Sequence, residues 1–334
     1  MGGVQKFQDT FNRQLSYLRV SVTDRCNLNC LYCRRWYMAR YFPSREILRY
    51  EELLRVIRIG AELGIDKVRI TGGEPFVRKD ICRFIEAVVR VPGITDVSLT
   101  TNGFLLARYL THLQEAGIRR LNISLDSLKR EKYKLITGRD VFPEVWHAIE
   151  TSLAAGFSPV KINVVVMRGI NEDEVGDFTE LTRRYPLHVR FIEYMPSSRY
   201  RLDQHRQILS SEIKQRLADR EGPGLVPVVR ADNSNIAERF RYEDGRGEVG
   251  FISPISKHFC HTCNRLRLTA DGHIRPCLLS DIAVPLKPAL RGGSTDAELA
   301  SLFRQAAFVK PVSGFAAEHE QEAGIPELMS AIGG

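Results

Sequence analysis

From residue 15 to residue 194 the chain alternates short apolar runs of strand length with longer stretches whose apolar positions recur at helical spacing. The runs at 15–22, 67–71, 97–100, 121–125, 160–167 and 189–194 carry the aliphatic and β-branched residues of buried strands. Between them, 50–63, 81–91, 105–116, 128–136, 142–155 and 172–184 read as amphipathic helices. In the first of these Leu53, Leu54, Ile57 and Ala61 share one face and Gly64 supplies the stop. Strand and helix in strict alternation predict a parallel sheet joined by right-handed crossovers. Six such units predict an α/β fold, a partial (β/α)6 barrel.

Beyond residue 196 the alternation gives way to polar, Arg-rich sequence, a helix at 211–220 and a Pro- and Gly-bearing link at 221–224. Residues 225–279 read as short strands joined by turns at Asp244-Gly245 and Asp271-Gly272, and the chain is helical again from 295. This places a boundary near Ser210, with a barrel over 1–210 and a smaller α+β domain over 211–334. There is no further internal repeat and no low-complexity tract.

The strands end in unusual residues: a cysteine-rich loop, Gly72-Gly-Glu-Pro75, Thr101-Asn-Gly103, Asp126-Ser127 and Met195-Pro196. Each alone reads as a turn. Together they sit where a parallel barrel builds its site, at the carboxyl ends of the strands.

Composition adds a charge and a compartment. The 334 residues are 43% hydrophobic and 26% charged, ordinary for a globular chain, with a net charge of +8. That excess favours an anionic partner, nucleotide phosphate or nucleic acid. With no run of eighteen apolar residues and no charged-then-apolar leader, the chain is expected to be soluble, unexported and cytoplasmic. Of seven cysteines, six fall in two groups of three and Cys82 stands alone in a helix as a small core residue. Two trios argue against a disulfide framework and for two metal sites in a reducing compartment.

The first trio is Cys26, Cys30 and Cys33, spaced C-x3-C-x2-C with Tyr32 before the last thiol. Three soft ligands with no fourth nearby suit an iron-sulfur cube that leaves one iron open. A zinc site with a distant fourth ligand is the alternative. The second trio is Cys260, Cys263 and Cys277, and His258, His261 or His273 could complete a zinc site there. Directly after it, the alternation of Arg265-Leu266-Arg267-Leu268 puts both guanidinium groups on one face with the leucines inward. Paired guanidiniums suit phosphate oxygens, unless they are simply solvated on an exposed strand.

The first trio resembles the signature of radical S-adenosylmethionine (SAM) enzymes. Over nearly its whole length the chain resembles the GTP 3',8-cyclase family, which opens molybdenum cofactor biosynthesis. The segments that carry the resemblance include Asp9-Thr-Phe-Asn-Arg13, the run from Tyr17 to Cys26, Arg69-Ile-Thr-Gly-Gly-Glu-Pro75, Asn122-Ile-Ser-Leu-Asp126, Arg190-Phe-Ile-Glu-Tyr-Met195, the second trio and Met329-Ser-Ala-Ile-Gly-Gly334.

The resemblance implies two 4Fe-4S clusters, one on each trio. The first would bind SAM, with Tyr32, Gly73, Ser124 and Met195 at the SAM-contacting positions. The second would bind the guanine of GTP, with Arg19, Arg69, Thr100, Lys161, Arg265 and Arg267 at the GTP-contacting positions. It also implies that Gly333 and Gly334 reach the active site. The implied reaction cleaves SAM to methionine and 5'-deoxyadenosine and cyclises GTP to (8S)-3',8-cyclo-7,8-dihydroguanosine 5'-triphosphate. Implied partners are the downstream cyclic pyranopterin monophosphate synthase and an electron donor such as flavodoxin or ferredoxin, with no membrane and no nucleic acid; a homodimer is left open.

The chain departs from the family pattern in Arg34-Arg35 after the third cysteine, where Met-Pro is common, and at Asn12, Asn29 and Leu279. These departures concern the packing of the cluster loop more than its ligands. Two rivals remain: a radical SAM enzyme with an auxiliary cluster acting on a peptide, and a zinc-bearing nucleic-acid-binding protein.

Overall fold

The computed structural model describes residues 7–33, 41–195, 205–221, 224–228, 237–314 and 332. The barrel half contains β1 (Tyr17–Ser21), α1 (Tyr50–Glu62), β2 (Lys67–Thr71), α2 (Ile81–Val89), β3 (Asp96–Thr101), α3 (Leu110–Glu115), β4 (Leu121–Ser124), α4 (Arg130–Thr137), α5 (Phe142–Ala154), β5 (Val160–Val166), α6 (Val175–Arg184) and β6 (Leu187–Glu193). All six expected strands form. The helix expected over 105–116 is split, with a tighter turn at Leu106–Tyr109 leading into α3. The rest of the described chain adds α7 (Ser210–Glu221), β7 (Leu225–Pro227), β8 (Glu238–Tyr242), β9 (Glu248–Ile252), β10 (Arg265–Leu268), β11 (His273–Arg275), β12 (Val284–Pro285), α8 (Lys287–Arg291) and α9 (Asp296–Phe308).

All these strands belong to one 12-stranded sheet in the order β12-β11-β10-β1-β2-β3-β4-β5-β6-β9-β8-β7. The six strands from β1 to β6 are parallel neighbours. Two strands from the C-terminal half extend that parallel set, β10 beside β1 and β9 beside β6. The outer pairs are antiparallel. An open barrel leaves unpaired backbone groups along its first and last strands, and the C-terminal half satisfies both rows.

Alternation along the strands separates two layers. In β5, Val160, Ile162, Val164 and Val166 are buried toward the helices, and in β6 Leu187, Val189 and Phe191 are buried with them. Phe178 of α6 meets Phe191 edge-on with ring centroids 6.4 Å apart, and burial of one such ring contributes about 1.5–3 kcal/mol. α9 begins with a capping box, in which the Glu298 amide donates to Thr295 Oγ1 and the Thr295 amide donates to the Glu298 carboxylate. It packs against α1 and β12 and covers the outside of the sheet next to β10. No helix among the described residues is long and apolar enough to cross a membrane.

Candidate active site

The first cysteine loop leaves the carboxyl end of β1 and lies on the Gly-Gly-Glu-Pro turn that follows β2. The Gly73 amide donates to the Thr23 carbonyl at 2.7 Å and the Glu74 amide to the Arg25 carbonyl at 2.8 Å. A Cβ on Gly73 would stand 2.3 Å from the Arg25 carbonyl oxygen, so only glycine allows the two backbones to approach this closely. Glu74 is fully buried and accepts from the Phe76 amide, the Thr101 hydroxyl and the Asn102 amide. Burial pushes its carboxyl up to about 7 against those donors. Asn102 in turn donates to Asn27 Oδ1 at 2.8 Å and to Cys26 Sγ at 3.7 Å, and the Leu28 amide donates to the same sulfur at 3.4 Å.

Burial pushes the Cys30 thiol well up, and the nearby Asp126, Cys33 and Cys26 push it further, so the three thiols are electrostatic neighbours. Tyr32 donates to Asp126 Oδ2 at 2.7 Å, and the Val165 amide donates to Asp126 Oδ1 at 2.8 Å. Ser124 ends β4, and Met195 follows β6 by two residues. The positions expected to contact SAM therefore gather at the carboxyl mouth of the barrel.

The second trio lies at the other mouth. Cys263 stands two residues before β10, which runs parallel to β1, and Cys277 stands two residues after β11, which runs antiparallel to β10. Both therefore fall at the amino ends of the barrel strands, one strand length, roughly 17–20 Å, from the first trio. Lys310 Nζ lies 3.7 Å from Cys263 Sγ. Burial by itself would raise the Cys263 thiol, but the positive charges of Lys310 and Arg265 outweigh it and bring the thiol below its usual range.

Among the described residues no three His, Cys, Asp or Glu side chains converge on a single ion. His273 pairs with Asp271 at 3.0 Å and His258 Nδ1 lies 2.9 Å from the Pro254 carbonyl, so two of the three candidate zinc ligands have other partners. A cube asks for three thiols that each take a separate iron, and the six cysteines of the two trios are all free and partly buried. Sulfurs approached by N–H donors and cations suit an anionic cluster.

Between the trios the barrel interior is lined with cations. Arg19 is in register with Arg267 on one side and Arg69 on the other. Tyr17 is in register with Arg265, and the Arg69 guanidinium lies 5.6 Å from the centre of the Tyr17 ring and donates to Ser98 Oγ at 3.2 Å. Across the barrel Asn122 is in register with Lys161, Lys161 with His188, and Asn163 with Arg190. Burial lowers Arg19 well below its usual range, and Arg267 and Arg69 lower it further. Burial and Arg265 bring Arg267 to about 10. Burial, then Arg190 and Arg69, bring Lys161 to about 7. Arg265 Nε and Nη2, Thr100 Oγ1 and Asn163 Oδ1 are buried without a hydrogen-bond partner among the described residues. Buried like charges and idle donors are costly, and a polyanion in this chamber would relieve both.

Every residue of the expected GTP set, Arg19, Arg69, Thr100, Lys161, Arg265 and Arg267, therefore lies on β10, β1, β2, β3 or β5. The expected alternation of β10 holds, with Leu266 and Leu268 buried, but its arginines face the chamber rather than solvent. Pattern alone does not single out Tyr17, Ser98, Asn163, His188 and Arg190. Their signal is a polar residue at every second position of a strand otherwise fit for burial on both faces, as in Leu187-His-Val-Arg-Phe191. Gly333, Gly334 and Arg34-Arg35 lie outside the described residues.

The chain is 46% identical to the GTP 3',8-cyclase of Moorella thermoacetica, over 98% of this chain and 100% of that one. The chain belongs to the GTP 3',8-cyclase family. It is also 47% identical to the GTP 3',8-cyclase of Heliobacterium modesticaldum, over 98% and 99% of the two chains. Within the GTP 3',8-cyclase frame, residues 20–182 match the Radical SAM superfamily and residues 187–315 match Molybdenum Cofactor Synthesis C. The fold resembles that of Streptococcus suis SuiB, with a TM-score of 0.63, 15% identity and coverage of 92% of this chain and 69% of that one. The SuiB structure bound to S-adenosylmethionine gives a TM-score of 0.61 at 15% identity, over 80% of this chain and 62% of that one.

Proposed function

We propose that this chain converts GTP to (8S)-3',8-cyclo-7,8-dihydroguanosine 5'-triphosphate in an early step of molybdenum cofactor biosynthesis. The observation that carries this reading is a set of buried, in-register cations between two cysteine trios, in a chain 46% identical over 98% of its length to a GTP 3',8-cyclase. SAM, bound at a reduced 4Fe-4S cluster, supplies the radical chemistry that opens the reaction.

Cys26, Cys30 and Cys33 hold that first cluster, and Tyr32, Gly73, Ser124 and Met195 surround SAM. Gly73 acts through its missing side chain, which lets the β2 turn support the cysteine loop. Cys260, Cys263 and Cys277 hold the second cluster and present it to the guanine. Arg19, Arg69, Lys161, Arg265 and Arg267 neutralise the triphosphate, and Thr100 offers an idle hydroxyl to the nucleotide. Pinning both ends of GTP between the mouths of one barrel orients the ribose toward SAM and keeps water from the reacting carbons.

The division at residue 210 is one of function: 1–210 activates SAM and 211–334 supplies the second cluster and the Arg265–Arg267 pair. Reduced thiols and soluble partners favour the cytoplasm as the setting, with a flavodoxin or ferredoxin as electron donor and cyclic pyranopterin monophosphate synthase as the next enzyme.

The test is anaerobic incubation of the reconstituted chain with GTP, SAM and dithionite. The expected products are the cyclised nucleotide, methionine and 5'-deoxyadenosine in step with one another. Cleavage of SAM that leaves GTP unchanged would overturn the reading.

A further inference from the structure

Lys310 follows the end of α9 by two residues and is 3% exposed. Its Nζ donates to the Arg265 carbonyl at 2.9 Å, lies 3.7 Å from Cys263 Sγ and also donates to the Pro276 carbonyl. Those acceptors belong to Cys263, to the strand that follows it and to the residue directly before Cys277. An ammonium has three donors, and here they are shared between the two arms that carry two of the second trio's thiols.

A buried ammonium needs a counter-charge, because desolvation costs several kcal/mol for an unpaired ion. Among the described residues Lys310 has no carboxylate at ion-pair distance, and the Cys263 sulfur 3.7 Å away offers it an anionic partner once deprotonated. The same segment is built around the trio. Arg13 donates to the carbonyls of Cys260 at 2.8 Å, Pro311 at 2.7 Å and Val312 at 3.1 Å, and so joins the remaining cysteine to the residues after Lys310. Gly314 lies so close that a Cβ there would stand 3.0 Å from Cys277 Sγ.

We propose that Lys310 is a positioning residue for the second cluster: its fixed ammonium balances the charge of the Cys260, Cys263 and Cys277 thiolates and favours the reduced form of the group they hold. This rests on the reading that the trio carries a cluster. Adding one electron makes that cluster more negative, so a cation against its sulfurs stabilises the reduced state more than the oxidised one.

The test uses the full chain with Cys26→Ala, Cys30→Ala and Cys33→Ala, reconstituted anaerobically so that iron reports on the second trio alone. Its one-electron reduction by dithionite is followed by electron paramagnetic resonance at set potentials. In this background Lys310→Met shifts the midpoint to a more negative potential with iron content unchanged, and Lys310→Arg restores part of the shift. Should Lys310→Met lose its iron, retention of iron by Lys310→Arg supports the same role. An unchanged midpoint in Lys310→Met, or equal loss of iron from both variants, overturns it. Absence of iron from the parent overturns the cluster assignment on which it rests.

Discussion

Arg19 of β1 and Arg267 of β10 lie in register on adjacent parallel strands, both buried, although they come from opposite ends of the chain. Each is brought below its usual range, first by burial and then by neighbouring guanidiniums. Folding tolerates this repulsion because the apolar faces of the same strands are buried on the helix side, where Leu18, Val20, Leu266 and Leu268 belong to one core. The chamber is thereby organised for an anion before the anion arrives, which lowers the reorganisation that binding requires.

Arg265→Ala and Arg267→Ala weaken GTP binding by about 10- to 100-fold, the equivalent of the ~1.5–3 kcal/mol carried by a hydrogen bond to a charged group. Iron content at both trios is unchanged. Because each substitution also removes a buried like charge, the thermal midpoint of the nucleotide-free protein does not fall in Arg267→Ala. Anaerobic equilibrium dialysis and thermal melts check the two halves separately, and unchanged affinity would remove these side chains from the site.

GTP binding takes up a proton at pH 8. Burial, Arg190, Arg69, Arg120 and Arg239 hold Lys161 near 7, below its ordinary 10.5, so in the empty chamber it is largely neutral at that pH. Phosphate oxygens raise it again, and affinity falls as pH climbs above 7. For folding the sign is the reverse: between pH 7 and 10.5 the unfolded chain binds more protons at this residue, so its contribution favours the empty folded state increasingly as pH rises through that window. Calorimetry in buffers of different ionisation heat reads the uptake, which Lys161→Met abolishes.

Gly73→Ala disrupts the first cysteine loop and leaves the second trio intact. The added methyl would meet the Arg25 carbonyl at 2.3 Å, and backbone cannot give way as a flexible side chain would. A cost of about 1–3 kcal/mol follows from overpacking of this kind. Iron analysis in a Cys260→Ala, Cys263→Ala, Cys277→Ala background shows the loss at the first trio, and SAM cleavage falls with it.

Deletion of Gly333 and Gly334 abolishes cyclisation while GTP affinity and iron content are kept. Ile332, directly before them, is fully buried. Product analysis beside a GTP binding assay separates a catalytic loss from a binding one.

Much of this was legible in the chain's pattern. The six strand-helix units announce themselves because short apolar runs and helical spacing alternate without interruption, and each of the six strands lies within a few residues of its expected run. The spacing of the first trio keeps its thiols within eight residues of one another, whereas Cys263 and Cys277 are brought to one end of the sheet only by the antiparallel pairing of β10 and β11. Lys310 was not legible, because a single lysine after a helix carries no local mark. Arg190 and His188 were hidden for a related reason: a strand that is apolar on one face and cationic on the other looks, residue by residue, like an ordinary half-exposed strand.

By itself the sequence determined the alternation of elements, the two sets of soft ligands and the excess of positive charge, all of which depend on residues close together in the chain. Only the tertiary structure decided that β10 pairs with β1 and β9 with β6, and hence that the two trios occupy opposite mouths of one barrel. That choice depends on which distant backbone edges remain unpaired once the barrel has formed, and on the side chains they bring into one chamber. Local spacing carries no record of either.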